Sequence, residues 1–150
     1  MKEQTGNIWD FYETNQSSII VITTNGSINR RGRAVMGSGV AREAAERFPL
    51  LRNELGAEIE IYGNKLNYFP KYRLITFPVK KNWEVRADPK LIKKSLKELV
   101  TLVKKGSIAE RNTIYMVRPG CGSGYLSWKD VKGILKPKLS DRYVIVEKNP

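Results

Sequence analysis

The 150-residue sequence contains no histidine and a single cysteine, Cys121. The missing histidines exclude Ser-His-Asp and Cys-His machinery, histidine general bases and the usual zinc sites. One cysteine excludes an internal disulfide and fits a reducing compartment. With few aspartates as well, no metal site is expected, and catalysis would fall to carboxylates, lysine, the thiol, hydroxyls, backbone N–H groups or the substrate. Long apolar runs are also missing: Ile19–Ile22 is the longest aliphatic stretch, far below the ~20 residues of a membrane span. The opening MKEQTGNIWD is polar and acidic, unlike a signal peptide. A cytoplasmic protein without membrane contact is expected, and a monomer.

What is present suits one globular domain spanning 1–150, with 41% hydrophobic residues. The net charge of +12 is uneven: residues 1–60 carry 7 basic and 8 acidic side chains, residues 61–150 carry 20 and 7. Such a field draws phosphates, on a nucleotide or along a nucleic acid met through the basic 61–150 half. A solvated lysine surface is the alternative.

The β-branched run Ser17–Thr23 predicts a central strand of an α/β sheet covered on both faces. Other strands are expected at Ile8–Tyr12, Glu58–Ile61, Leu66–Phe69, Arg73–Phe77, Thr113–Val117 and Arg142–Val146. Helices are expected over Gly39–Phe48, from Asp88-Pro89 to Gly106, and from Trp128, where Ser127 and Asp130 have capping-box spacing. Leu50–Leu55 reads as one further turn, ended by Gly56. The order predicts a mixed sheet with helices on both faces.

Two of these strands empty through glycine-rich loops, Thr23–Pro49 and Arg118–Ser127. Backbone N–H groups converging there, with a helix dipole behind them, form an anion site. In open α/β sheets ligands sit beyond the carboxyl ends of strands, so the two loops are expected to clamp one elongated, phosphate-bearing ligand. Standard nucleotide motifs fail. Gly32 to Gly37 has P-loop spacing but is followed by Ser38-Gly39, and neither loop completes G-x-G-x-x-G, with Arg42 and Tyr125 at the third-glycine positions.

Four short motifs in order resemble the macro domain, an ADP-ribose-binding family, over most of the chain. Gly6-Asn7-Ile8 is similar to the adenine-side element, and Thr24-Asn25-Gly26 to the strand-end V-N-A/T segment. Met36-Gly37-Ser38-Gly39-Val40-Ala41 is similar to the loop around the distal ribose and diphosphate. Gly120-Cys121-Gly122, with Leu126-Ser127-Trp128, resembles a branch holding DNA-acting ADP-ribosyl glycohydrolase antitoxins and terminal ADP-ribose glycohydrolases. The resemblance implies a three-layer α/β/α fold, no cofactor, and ADP-ribose or an ADP-ribosylated substrate as partner.

It implies that Asn7 and Ile8 meet the adenine and that Asn25 holds the distal ribose. Thr24, Met36, Gly37, Ser38, Gly39 and Val40 would line the site with Gly120, Cys121, Gly122, Ser123, Gly124 and Tyr125. Asn25 before Gly26 also suits a left-handed turn. The branch pairs a loop lysine with an aspartate. Lys80 best matches the lysine, with Lys81 as competitor, but Gly124 stands at the aspartate position. Lys80 and Asn25 are the candidate catalytic residues for hydrolysis of an ADP-ribosyl linkage or of ADP-ribose 1''-phosphate. A non-catalytic reader and a nucleic-acid-binding module are the alternatives.

Overall fold

A computed structural model describes residues 1–148. In chain order the elements are β1 (Lys2–Thr5), α1 (Ile8–Thr14), β2 (Ser18–Asn25), α2 (Gly39–Arg47), α3 (Leu51–Tyr62) and β3 (Asn67–Phe69). A 3-10 turn (Pro70–Tyr72) leads to β4 (Leu74–Lys80), α4 (Pro89–Lys104), β5 (Thr113–Val117), α5 (Trp128–Leu135) and β6 (Tyr143–Glu147). The six strands form one sheet in the order β1-β6-β5-β2-β4-β3. Five are mutually parallel and β3 runs antiparallel to β4. The sheet is therefore mixed, with the carboxyl ends of the five parallel strands along one edge.

Period-2 alternation in β2 builds both cores. Ile19 and Val21 face α4 and α5, packing with Ile92, Leu99, Val131 and Leu135. Ile20 and Ile22 face α1, α2 and α3, packing with Ile8, Trp9, Ala44, Leu51 and Leu55. All four β2 residues are at most 1% exposed, and burial of each such side chain stabilises by about 1.5–3 kcal/mol. The result is the expected three-layer α/β/α arrangement.

Two segments differ from expectation. Ile8–Tyr12 is helical, and the first strand lies upstream in the polar Lys2–Thr5. Asn7 caps α1 by accepting from Trp9 N at 3.0 Å. Ile8, Trp9, Phe11 and Tyr12 then follow helical spacing: Ile8 and Trp9 are buried, and Phe11 stacks on Tyr115 with ring centroids 4.7 Å apart. Their β-favouring side chains had suggested a strand.

The second difference is Glu58–Ile61, which belongs to α3. Gly56 does not end that helix. It lies where α3 presses on the first loop, and a Cβ there would stand 2.0 Å from Gly32 O. The helix stops at Gly63, which has φ +86 and donates to Ile59 O. The remaining strands and helices fall where expected. Asp88 caps α4 through Lys90 N and Ser127 caps α5 through Asp130 N.

Candidate functional site

Along the carboxyl edge of the parallel strands lies a cleft of about 720 Å³. In sheet order its floor is Gly6 and Asn7 after β1, Val146–Lys148 ending β6, Val117 and Arg118 ending β5, Thr24 and Asn25 ending β2, and Val79 and Lys80 ending β4. Four inter-strand spacings of about 4.8 Å make the cleft roughly 19 Å long. It takes an elongated ligand lying across the strands.

The first loop forms one wall. Met36–Ala41 lines the cleft, and the backbone at Ser38 is extended before Gly39 turns to φ +58 and opens α2. Only glycine enters that left-handed region without strain. Ser38 makes no side-chain cap to α2, which leaves first-turn N–H groups for a ligand. A Cβ on Gly37 or Gly39 would meet nothing within 4 Å. Both face open space.

Gly120–Gly124 forms the facing wall, braced from behind by the β4–α4 connection. Ala87 N donates to Gly124 O at 3.1 Å and Arg86 Nη2 to Tyr125 O at 3.1 Å. A Cβ on Gly124 would stand 2.5 Å from Gly120 O and 2.7 Å from Ala87 Cβ. Glycine is required there by packing, so no carboxylate fits at that position on this backbone. Gly122, by contrast, has nothing within 4 Å. The two walls meet at Ser38 Oγ and Ser123 Oγ, 3.4 Å apart. Helix α5 does not line the cleft, and its N-terminus is occupied by Ser127.

Asn25 and Lys80 are partners in the β2–β4 register, after an irregularity between Thr24 and Asn25. Asn25 Nδ2 donates to Val35 O at 3.1 Å and Oδ1 accepts from Ser27 N at 2.8 Å. Each amide group keeps one hydrogen-bonding position free. Lys80 lines the cleft and forms no ion pair among the described residues, whereas Lys81 does not line it. Cys121 lies in the second wall, where burial pushes its thiol up, opposed by the nearby Arg118 charge.

All the predicted site residues therefore line one cleft except Tyr125, which is 71% exposed with φ +63 and is not among the lining residues. Asn7 reaches the cleft, but Oδ1 already serves as the α1 cap. Charged and aromatic lining residues not singled out as site residues are Glu43, Trp83, Arg118, Glu147 and Lys148. Arg118 pairs with Glu147 at 3.1 Å and stacks on Trp128. Trp83 is 58% exposed at the rim, held by Ser27 Oγ accepting from its N–H at 3.0 Å. A lone tryptophan in the charged 79–87 segment was the available signal for it. Glu43 offered none beyond its polar position on α2.

The charge of residues 61–150 is mostly elsewhere. Lys90, Lys93, Lys94, Lys97 and Lys104 are exposed on α4, and none lines the cleft. No helix of the described residues is long and apolar enough to cross a membrane.

Neither a protein-family model nor a curated protein sequence matches the chain. Solved structures do. The macrodomain of Thermus aquaticus DarG matches over 99% of this chain and 97% of its own, at TM-score 0.75 and 23% identity. The macrodomain of Mycobacterium tuberculosis DarG matches over 89% and 90%, at TM-score 0.71 and 23% identity. Thermosipho africanus DarTG, solved in complex with ADP-ribose, matches over 89% of this chain at TM-score 0.69 and 20% identity, and the chain spans 38% of its length. With the sheet order, the two glycine walls and these likenesses together, the chain has the macro domain fold.

Proposed function

We propose that residues 1–150 form one ADP-ribose-binding domain and that it hydrolyses an ADP-ribosyl linkage, on nucleic acid or protein, or ADP-ribose 1''-phosphate. The observation that carries this reading is the pairing of two glycine walls across the middle of a long cleft. Their N–H groups suit a diphosphate, and the space on either side suits a ring at each end. Asn7 and Ile8 take the adenine end, and Asn25 with Lys80 the distal ribose. The ADP-ribose in the Thermosipho africanus structure supports the same choice.

In the hydrolysis the bond from the anomeric carbon to the acceptor atom breaks, water oxygen bonds to that carbon, and one water proton ends on the acceptor. Asn25 holds ribose hydroxyls through its free amide positions. Lys80, beside it, supplies an ammonium that stabilises charge building on the departing atom. One observation favours a second reading, a reader that binds without turnover: Gly124 leaves no room for a carboxylate partner to Lys80.

Calorimetry with ADP-ribose tests binding, with micromolar affinity expected and AMP much weaker. No heat at millimolar ADP-ribose overturns both readings. ADP-ribosylated DNA, ADP-ribosylated protein and ADP-ribose 1''-phosphate, each incubated with wild type and Lys80→Ala, then separate them. Turnover lost in the variant supports the hydrolase, and no turnover by wild type leaves the reader.

A further inference from the structure

The two helical layers carry opposite charge. Helices α1, α2 and α3 hold seven carboxylates and three arginines, whereas α4 and α5 hold seven lysines and two carboxylates. Lys94 pairs with Glu98 at 3.8 Å and Lys132 with Glu3 at 2.6 Å. Lys90, Lys93, Lys97 and Lys104 are exposed and form no ion pair among the described residues. The buried residues of α4 are Ile92, Ser95, Leu96 and Leu99. At about 100° per residue the four free lysines fall within about 60° of arc, away from that buried side. They form a straight stripe about 21 Å long. Lys129 and Lys136 are exposed at the two ends of α5, which packs beside α4. None of these lysines lines the cleft.

We infer that the α4–α5 face docks the sugar-phosphate backbone of double-stranded nucleic acid, whatever its sequence, at a surface separate from the cleft. The exposed large apolar residues, Leu50, Ile61, Tyr62, Trp83, Val85 and Tyr125, all lie outside α4 and α5. A protein partner calls for an apolar centre, and lysine is depleted at such interfaces. An anionic lipid surface calls for apolar side chains that insert. Single strands are held by bases stacked on aromatic rings. The one aromatic residue of these two helices, Trp128, is engaged by Glu3 and Arg118. Duplex phosphates need only cations along their path. One strand sets a charge every ~3.4 Å of duplex axis, so the stripe spans about six of them. The acidic layer repels the same polyanion, so the duplex meets one face of the sandwich. This inference is independent of the ADP-ribose reading.

The test is fluorescence anisotropy with an unmodified 20-base-pair DNA duplex of arbitrary sequence, at 50 and 200 mM salt. Wild type should bind at 50 mM with a Kd of about 1–10 μM and lose about 100-fold in affinity at 200 mM, the slope of about four phosphate contacts. Saturating ADP-ribose should not displace the duplex. Lys90→Gln, Lys93→Gln, Lys97→Gln and Lys104→Gln combined should weaken binding at 50 mM by 30-fold or more and flatten the salt dependence. Glutamine keeps helix propensity, and thermal melting checks the fold; Lys93→Glu with Lys97→Glu is a second variant. A charge-matched control, Lys2→Gln, Arg30→Gln, Arg31→Gln and Lys65→Gln combined, removes four exposed unpaired cations outside this face. It should cost less than 5-fold. No binding at 50 mM, equal losses in the two quadruple variants, or displacement by ADP-ribose overturns the inference. So does tighter binding of the single strand, or of poly-glutamate of matched charge, which would mark a base-stacking site or an acidic protein partner.

Discussion

Ser38 and Ser123, 85 residues apart in the chain, bring their hydroxyl oxygens to 3.4 Å across the cleft. This is the point where the two glycine walls touch, above the position proposed for the diphosphate. In a Cys121→Ala background, Ser38→Cys with Ser123→Cys should form a disulfide on oxidation, since the side-chain separation suits one with small adjustment. Oxidised protein should bind ADP-ribose at least 10-fold more slowly in stopped-flow fluorescence, and dithiothreitol should restore the rate. Unchanged binding in the bridged protein would show that the ligand enters by another route.

The glycines of the second wall divide into two kinds. Gly124→Ala drives a Cβ against Gly120 O and Ala87 Cβ, and such overpacking costs about 1–3 kcal/mol. The melting temperature should fall by several degrees, and Gly124→Asp should fall further without gaining turnover. Gly122→Ala meets nothing in the free protein. Its melting temperature should match wild type while ADP-ribose affinity drops 10-fold or more.

Gly56 makes the equivalent prediction for the fold. Glycine to alanine inside a helix ordinarily stabilises by about 0.5–1 kcal/mol. Here the added carbon would stand 2.0 Å from Gly32 O, so Gly56→Ala should lower stability in urea unfolding and loosen the first loop. A gain in stability would mean that α3 and the loop are not in contact.

That position also shows how far the sequence could be read. Gly56 looked like a helix stop because a close approach between α3 and a loop 24 positions earlier leaves no local trace. The buried strands were legible from β-branched runs, and α4 and α5 from Asp88-Pro89 and Ser127, because those signals act over a few residues. β1 was not legible: its four residues are all exposed on a sheet edge and carry no apolar pattern. In the site, the glycine loops and Lys80 were visible as motifs. Glu43 was hidden because the contact that holds its side chain is to Trp9, 34 positions away.

Asn7 caps α1 through its side chain, and mutation can test that cap. Asn7→Ala removes the cap of α1 and should cost about 1 kcal/mol, seen as a lower melting temperature. Asn7→Asp keeps a cap acceptor and adds charge favourable to the helix dipole, so stability should hold or rise. An equal loss in both variants would show that the Trp9 N–H does not depend on this side chain.

Cys121 supplies a probe of occupancy. Burial holds its thiol above the usual range, and the thiolate is the reactive form. Iodoacetamide should therefore modify it slowly at neutral pH, faster as pH rises above about 8.5, and ADP-ribose should protect it. Rapid labelling at pH 7 regardless of ligand would place the sulfur outside the cleft.

The irregularity between β2 and β4 pairs Thr24 with Pro78 and Asn25 with Lys80, so Val79 has no partner in that register. Strand side chains alternate between faces with period 2, and a one-residue shift reverses them all. The lysine thus keeps its place through a count of residues as much as through its own identity. Deleting Val79 would regularise the pairing and turn the ammonium toward the opposite helical layer. A protein of this architecture can gain or lose a cleft lysine by a single-codon change in strand length, with every glycine of the binding loops untouched.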